Sequence, residues 1–230
     1  MAEIKVLAEF FLLSLALGVG FFTPLARTEM TGAGLFKLLT TVCAVSAMIA
    51  VGIHLSYAPV TSPQAIAYFV AFVVMILSYF FHRDQKTPAM WLLYLIQQLA
   101  LLTVVYFFQN QSGFLIAYGL SSIFFMGIVT YAMLLGHWYL VTPKLSTAPL
   151  EKSMLILWAL GAFKLAILTY TLVQDGKFFV EGTSFGAGYM FNWVMLTMRV
   201  GWGYLVVLIM SIFSWKLIRM RSTQSATGVL

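Results

Sequence analysis

This chain of 230 residues is too apolar to cover a water-soluble surface, because 62% of its residues are hydrophobic and only 9% are charged. That composition, with a mean hydropathy of +0.96, is typical of an integral membrane protein. The net charge of +6 does not indicate a nucleic-acid partner, since the basic residues lie singly at the ends of apolar segments, where lipid headgroups and membrane topology favour them.

Seven segments are long enough to cross a bilayer as helices, for which about twenty apolar residues are needed. Their continuous apolar runs argue against a transmembrane barrel, whose strands alternate apolar and polar residues. Prolines and polar turn residues separate the segments, as expected where helices end. The predicted spans cover residues 6–25, 34–58, 63–82, 88–109, 113–141, 151–173 and 190–219. The sequence therefore predicts an all-α bundle of seven transmembrane helices.

One transmembrane domain is expected over residues 1–221, followed by a short polar tail at 222–230. The opening segment is interpreted as the first span, because it lacks the basic start and the cleavage site of a signal peptide. Of the 13 Lys and Arg residues, nine lie on the side reached after odd-numbered spans and two on the other side. Because positive residues accumulate in the cytoplasm, the N-terminus is predicted outside and the C-terminus cytoplasmic. The expected location is a bacterial inner membrane.

The two remaining cations, Lys164 and Arg199, lie inside the sixth and seventh predicted spans. From the helical rise, Lys164 lies about 17 Å from the inner end of its span and Arg199 about 14 Å from the outer end. Gln97 and Gln98 of span four and Ser122 of span five fall at similar depths. Charged side chains at such depth are costly and usually face a bundle interior or a cavity. We therefore predict a polar layer near the membrane midplane.

This layer lacks an anion, because Glu9, the only carboxylate in a predicted span apart from Glu151 at the boundary of span six, lies near the outer end of span one. Since an arginine stays charged in nearly any environment, the unmatched cations predict a site for a small anionic or amphipathic ligand. The protein would bind or transport that ligand, or serve as the membrane subunit of a larger complex. The predicted ligand-binding residues are Lys164, Arg199, Gln97, Gln98, Ser122, Asn192 and Trp202.

Two other interpretations stay open. The polar layer is purely structural if Arg199 binds backbone carbonyls, glutamines and Glu9 while Lys164 packs to fix the helix register. Alternatively, the layer forms an interface with another membrane subunit or a second copy of the chain. The lipid bilayer is the expected partner in every case.

A b-type haem or quinone-linked redox protein is the alternative from another functional class. Only His82 and His137 lie at matching depth for haem ligation, near the cytoplasmic edge, since His54 is near the outer end of span two. No cluster with metal-ligand spacing and no nucleophile, phosphate or dinucleotide motif occurs in the right context. The sequence therefore predicts no catalytic machinery.

Small residues on the first two spans predict close helix packing. The face of span one carries Ser14, Gly18 and Gly20, and that of span two carries Cys43, Ala47, Ala50 and His54. We expect these two faces to pack against each other or against another protomer.

Overall fold

The computed structural model describes residues 2–26, 31–81, 88–109, 113–142, 145–174 and 189–219, and these described residues contain helices and no strand. A short 3-10 turn, Thr23–Leu25, follows the first helix. The first six helices are α1 Ala2–Phe22, α2 Ala33–Leu55, α3 Pro63–Phe81, α4 Pro88–Phe108, α5 Gly113–Val141 and α6 Ala148–Gln174.

The last part of the described chain is one long helical segment with an irregular middle. It consists of α7 (Tyr189–Met198), a π-helical stretch (Arg199–Val206) and α8 (Val207–Arg219). Together these three pieces form the seventh span. The described residues thus contain seven helices that are long and apolar enough to cross a membrane, which confirms the predicted number of spans and supports a multi-pass membrane protein.

The boundaries of the helices follow from local sequence. Pro63 and Pro88 occupy the first position of α3 and α4, where the missing N–H costs nothing and the fixed φ favours a helix. Gly32 precedes α2 with a φ of 76°, a conformation that only glycine adopts at little cost. Because these residues set where α2, α3 and α4 begin, they determine which side chains of neighbouring helices lie at the same level in the bundle.

Helix α1 is at the centre of the bundle and packs against α2, α4 and α5. It crosses α5 at a pair of glycines, where a Cβ on Gly18 would lie 2.5 Å from the carbonyl oxygen of Ile123 and 2.8 Å from Cα of Gly127. No side chain fits at that separation, so the two backbones approach closely because both positions are glycine.

The small-residue face of α2 packs against α1, which is the first of the two arrangements expected from the sequence. Cys43 Sγ lies 3.7 Å from the position that a Cβ would take on Gly20. Ala47 and Ala50 are fully buried in the same core, and His54 is 4% exposed. This packing brings the end of α2 against the beginning of α1.

Burial falls sharply toward the end of the chain. Within the most apolar window of each span, 50% of α1 and 56% of α5 are buried, against 22% of α6 and 11% of the seventh span. The seventh span is attached by a few contacts, among them a 2.8 Å hydrogen bond from Trp158 Nε1 to Ser211 Oγ and an edge-to-face contact between Phe125 and Tyr204. Most of its surface is therefore not covered by the described residues.

Candidate functional site

Lys164 is anchored entirely by one turn of α5. Its side chain is only 3% exposed. The ammonium donates to the carbonyl oxygen of Tyr118 at 3.1 Å, to Ser121 Oγ at 3.0 Å and to Ser122 Oγ. Nζ also lies 3.7 Å from the centroid of the Tyr118 ring, a cation–π contact. A buried cation of α6 is thus held by neutral oxygens and an aromatic face.

The helical repeat explains why α5 supplies these acceptors together. Tyr118, Ser121 and Ser122 are spaced three and four residues apart and so share one face. Both serine hydroxyls donate to the carbonyl oxygen of Tyr118, at 2.6 Å and 3.1 Å, which leaves their oxygen lone pairs free to accept from a cation. The α5 turn is therefore internally hydrogen-bonded before Lys164 is added.

Arg199 reaches the same tyrosine from the seventh span. Its Nη1 donates to the hydroxyl of Tyr118 at 2.8 Å, and its Cζ lies 6.0 Å from the ring centroid. Unlike Lys164, Arg199 is exposed. Tyr118 therefore joins two cations, contacting one with its ring face and the other with its hydroxyl. We call Lys164, Tyr118 and Arg199, with the two serines, the cation site.

No carboxylate balances this charge in the described part of the chain. The ion pair that the described residues do form, between Glu9 and His54, is elsewhere. One structural interpretation of the sequence placed Glu9 beside Arg199; the structure instead pairs Glu9 with His54 and Arg199 with Tyr118. The cation site is left with two positive side chains and neutral partners.

Arg199 is the first residue of the π-helical stretch. A π-helix has wider hydrogen-bond rings than an α-helix, is rare, and often occurs at functional sites. A Cβ added at Gly201 or Gly203 would meet no atom within 4 Å, and Trp202 is 68% exposed. This segment is therefore open on the side that faces away from the bundle.

The cation site lies toward one end of the bundle. Arg199 comes ten residues after Tyr189, where α7 begins, which places it about 15 Å from that end, and Tyr118 comes five residues after Gly113, where α5 begins. This is the end where α1 and α5 begin and α2 and α6 finish, and we call it the amino-terminal face. The site there is on a helix that the described residues cover sparsely.

The structure brings together only some of the predicted ligand-binding residues. Lys164, Ser122 and Arg199 meet through Tyr118, and Trp202 lies within one turn of Arg199. Tyr118 was not among the predicted site residues, although it precedes Ser122 by four residues and so shares its helical face. The side chain of the predicted residue Asn192 lies outside the described part of the structure.

Gln97 and Gln98 are placed against α1. Both are buried, and their side-chain nitrogens lie 3.2 Å and 2.7 Å from the position of a Cβ on Gly20. The amide of Gln98 has no hydrogen-bond partner among the described residues. Their depth along span four predicted that these two residues lie near the cations. Depth alone does not determine which neighbouring helix a side chain contacts.

The predicted haem ligands stay untested. His82 lies outside the described residues, and His137 is exposed near the end of α5 that is remote from the amino-terminal face. Among the described residues, no group of three or more His, Cys, Asp or Glu side chains is arranged to hold a metal ion.

A second polar cluster, which the sequence reasoning did not identify, lies at the amino-terminal face. The carboxylate of Glu9 accepts hydrogen bonds at 3.0 Å from His54 Nδ1, at 3.1 Å from the Tyr68 hydroxyl, and from the Tyr57 hydroxyl. His54 Nε2 lies 3.0 Å from Ser62 Oγ. We call these five residues the carboxylate network.

Comparison of the chain with protein-family models, with curated proteins and with solved structures found no match.

Proposed function

We propose that this chain is a multi-pass membrane protein that binds an anionic, amphipathic ligand at the cation site. The observation that carries the proposal is Arg199, an exposed guanidinium on an apolar span whose Nη1 donates to the Tyr118 hydroxyl. A guanidinium has five N–H donors, and Tyr118 takes one of them among the described residues. In a membrane, such a group is costly unless an anion or polar atoms satisfy it.

The chemistry of the site favours a carboxylate or phosphate headgroup. Arg199 has the planar fork that binds either group through two parallel hydrogen bonds. Tyr118 accepts a hydrogen bond from Arg199, so its own hydroxyl hydrogen remains available to a ligand oxygen. Lys164 is already coordinated by α5, and its positive charge selects for anions without direct contact.

The surroundings favour a ligand with an apolar tail. Met198, Trp202 and Leu205 are each more than half exposed on the surface around Arg199. An acyl chain or isoprenoid tail lying along this surface would stay in hydrocarbon while its headgroup reaches the guanidinium. The ligand would enter sideways from the bilayer, since the seventh span is largely unburied.

Quenching of tryptophan fluorescence by a brominated fatty acid tests the proposal. Dibrominated stearate is compared with its methyl ester, which has the same chain without the charge, in protein purified in a neutral detergent. We expect the acid to bind at least tenfold more tightly than the ester. In Arg199→Gln that preference falls by about 10- to 100-fold, since a hydrogen-bonded charge is worth about 1.5–3 kcal/mol.

Arg219→Gln is the matched control, because Arg219 is also exposed on the seventh span but stacks on Trp215 at the opposite end. It should bind the acid as the wild type does. Equal binding of acid and ester by the wild type would refute the proposal. A protein that co-purifies with the wild type, is lost in Arg199→Gln and leaves no preference for the acid would instead identify the cation site as a subunit interface.

A further inference from the structure

The carboxylate network is buried and joins three helices. Glu9 has no exposed surface and belongs to α1, His54 is 4% exposed and belongs to α2, and Tyr68 is fully buried in α3. Each carboxylate oxygen accepts at least one hydrogen bond, from the imidazole or from a tyrosine. A carboxylate with this many donors is well solvated by the protein, but its negative charge still needs a positive partner.

Few groups are available to balance that charge. The helices α3 and α4 contain no Lys, Arg, His, Asp or Glu, and α5 contains only His137, far from the amino-terminal face. On α1, Lys5 is one turn before Glu9 but is exposed and does not pair with it, and on α2, Lys37 is at the opposite end from His54. Within the described residues, the imidazole of His54 is therefore the only group positioned to neutralise Glu9.

A chain of hydroxyl groups connects this pair to the surface. His54 Nε2 lies 3.0 Å from the hydroxyl of Ser62, which is partly exposed in the turn before α3. On the other side of the carboxylate, Tyr57 is 44% exposed. Burial and the hydrogen bond to Glu9 raise the pKa of the Tyr57 hydroxyl, so it keeps its proton and donates. The pair thus has polar contacts toward water at the amino-terminal face.

We propose that Glu9 and His54 form a proton-binding site, in which the imidazole takes up one proton beside the carboxylate and exchanges it with the amino-terminal face through Ser62. This proton-binding site is independent of the ligand proposed for the cation site, and it includes none of the residues of the cation site. In the loaded state, both imidazole nitrogens carry hydrogen, with Nδ1–H on Glu9 and Nε2–H on Ser62. The pair is then neutral overall.

Unloading transfers one proton from Nε2 to the Ser62 hydroxyl while that hydroxyl gives its own proton to water. No other bond is made or broken, and the charge of the pair changes from zero to minus one. The uncompensated carboxylate would weaken the contact that joins α1, α2 and α3. Proton concentration at the amino-terminal face would therefore act on the packing of these three helices.

Magnetic resonance of nitrogen-15-labelled histidine in the full chain, together with infrared bands of carboxyl groups, tests this site. His82→Gln and His137→Gln leave His54 as the only histidine signal. At pH 7 we expect the charged imidazolium of His54 and an ionised Glu9, and in Glu9→Gln we expect His54 to be neutral. Glu151→Gln is the control, since its carboxylate only accepts from Thr147 at the other end of the bundle.

The result in the otherwise native chain decides the proposal even if Glu9→Gln does not fold. A neutral His54 beside an ionised Glu9 at pH 7 means that the pair holds no proton, and two protons on the pair would equally overturn the proposal. The route has its own test, because Ser62→Ala should slow exchange of the His54 ring N–H with deuterated water at least tenfold. Unchanged exchange would overturn the route through Ser62.

Discussion

The two polar clusters of this protein surround their charged side chains with different kinds of partner. The carboxylate of Glu9 accepts hydrogen bonds from His54 of α2 and Tyr68 of α3, and the imidazole of His54 is a group that can carry a positive charge. Lys164 and Arg199 share one tyrosine, with no negative group beside them in the described chain. Among the described residues, the first cluster pairs its carboxylate with an imidazole, whereas the second contains cations and neutral partners.

The packing of the surrounding helices differs in the same direction. The carboxylate network joins α1, α2 and α3, while the cation site includes α6 and the seventh span, the least buried parts of the bundle. We expect the closed network to contribute to stability and propose that the open one contributes to binding. Variants of the two regions should therefore affect different measurements.

The largest loss of stability is expected from Glu9→Leu. It removes the acceptor of one imidazole and two tyrosine hydroxyls, and it leaves the buried Nδ1 of His54 and the buried hydroxyl of Tyr68 without that acceptor. Breaking such a pair from one side typically costs about 3–5 kcal/mol. Thermal unfolding in detergent measures the effect, with Glu151→Leu as the control. Equal unfolding temperatures for the two variants would contradict a stabilising role for the network.

Gly127→Ala should have the next largest effect. The new Cβ would overlap the backbone of Gly18 where α1 crosses α5, and overpacking of this kind costs about 1–3 kcal/mol. The same change at Gly201, where a Cβ meets nothing within 4 Å, should alter stability by less than about 1 kcal/mol. If the two alanine variants unfold alike, the contrast between a tightly packed and an open region is wrong.

Lys164→Met should change stability by no more than about 1 kcal/mol, although it removes a buried cation with three hydrogen bonds. Both serine hydroxyls still donate to the Tyr118 carbonyl oxygen, so no polar group is left unpaired. Denaturant or thermal unfolding distinguishes this outcome from that of Glu9→Leu. A loss as large as that of Glu9→Leu would show that Lys164 is a structural residue.

Tyr118→Phe should have the smallest effect. The ring that lies on Lys164 is kept, and only the hydroxyl bonded to Arg199 is lost. We expect stability to be nearly unchanged and the affinity for dibrominated stearate to fall about 3- to 10-fold, as for one hydrogen bond of about 1 kcal/mol. Unchanged affinity for the acid would place the headgroup away from Tyr118.

The helices were largely predictable from the sequence, because their ends depend on local chemistry. Proline at positions 63 and 88 and the polar turn before Gly113 set three helix starts at the predicted residues. The orientation of the termini and the membrane of residence stay predictions, since they rest on the distribution of Lys and Arg.

The sites were less predictable, because depth along a span does not give the direction of a side chain. Depth along the spans predicted that Lys164 and Ser122 would share one polar layer with Arg199. It placed Gln97 in that layer as well, whereas the side chain of Gln97 packs on Gly20. The pairing of Glu9 with His54 could have been found from the sequence. Glu9 lies near the beginning of span one and His54 near the end of span two, so both are on the same side of the bundle. The π-helical stretch at Arg199 has no clear local signal in the sequence.

Mass spectrometry of the intact protein, extracted gently from its native membrane, tests the central claim most directly. The wild type and Arg219→Gln should each carry about one equivalent of an acidic amphiphile, and Arg199→Gln should carry none while remaining folded. If the wild type carries no such molecule, or if Arg199→Gln carries the same one in the same amount, the cation site does not bind an anionic amphiphile.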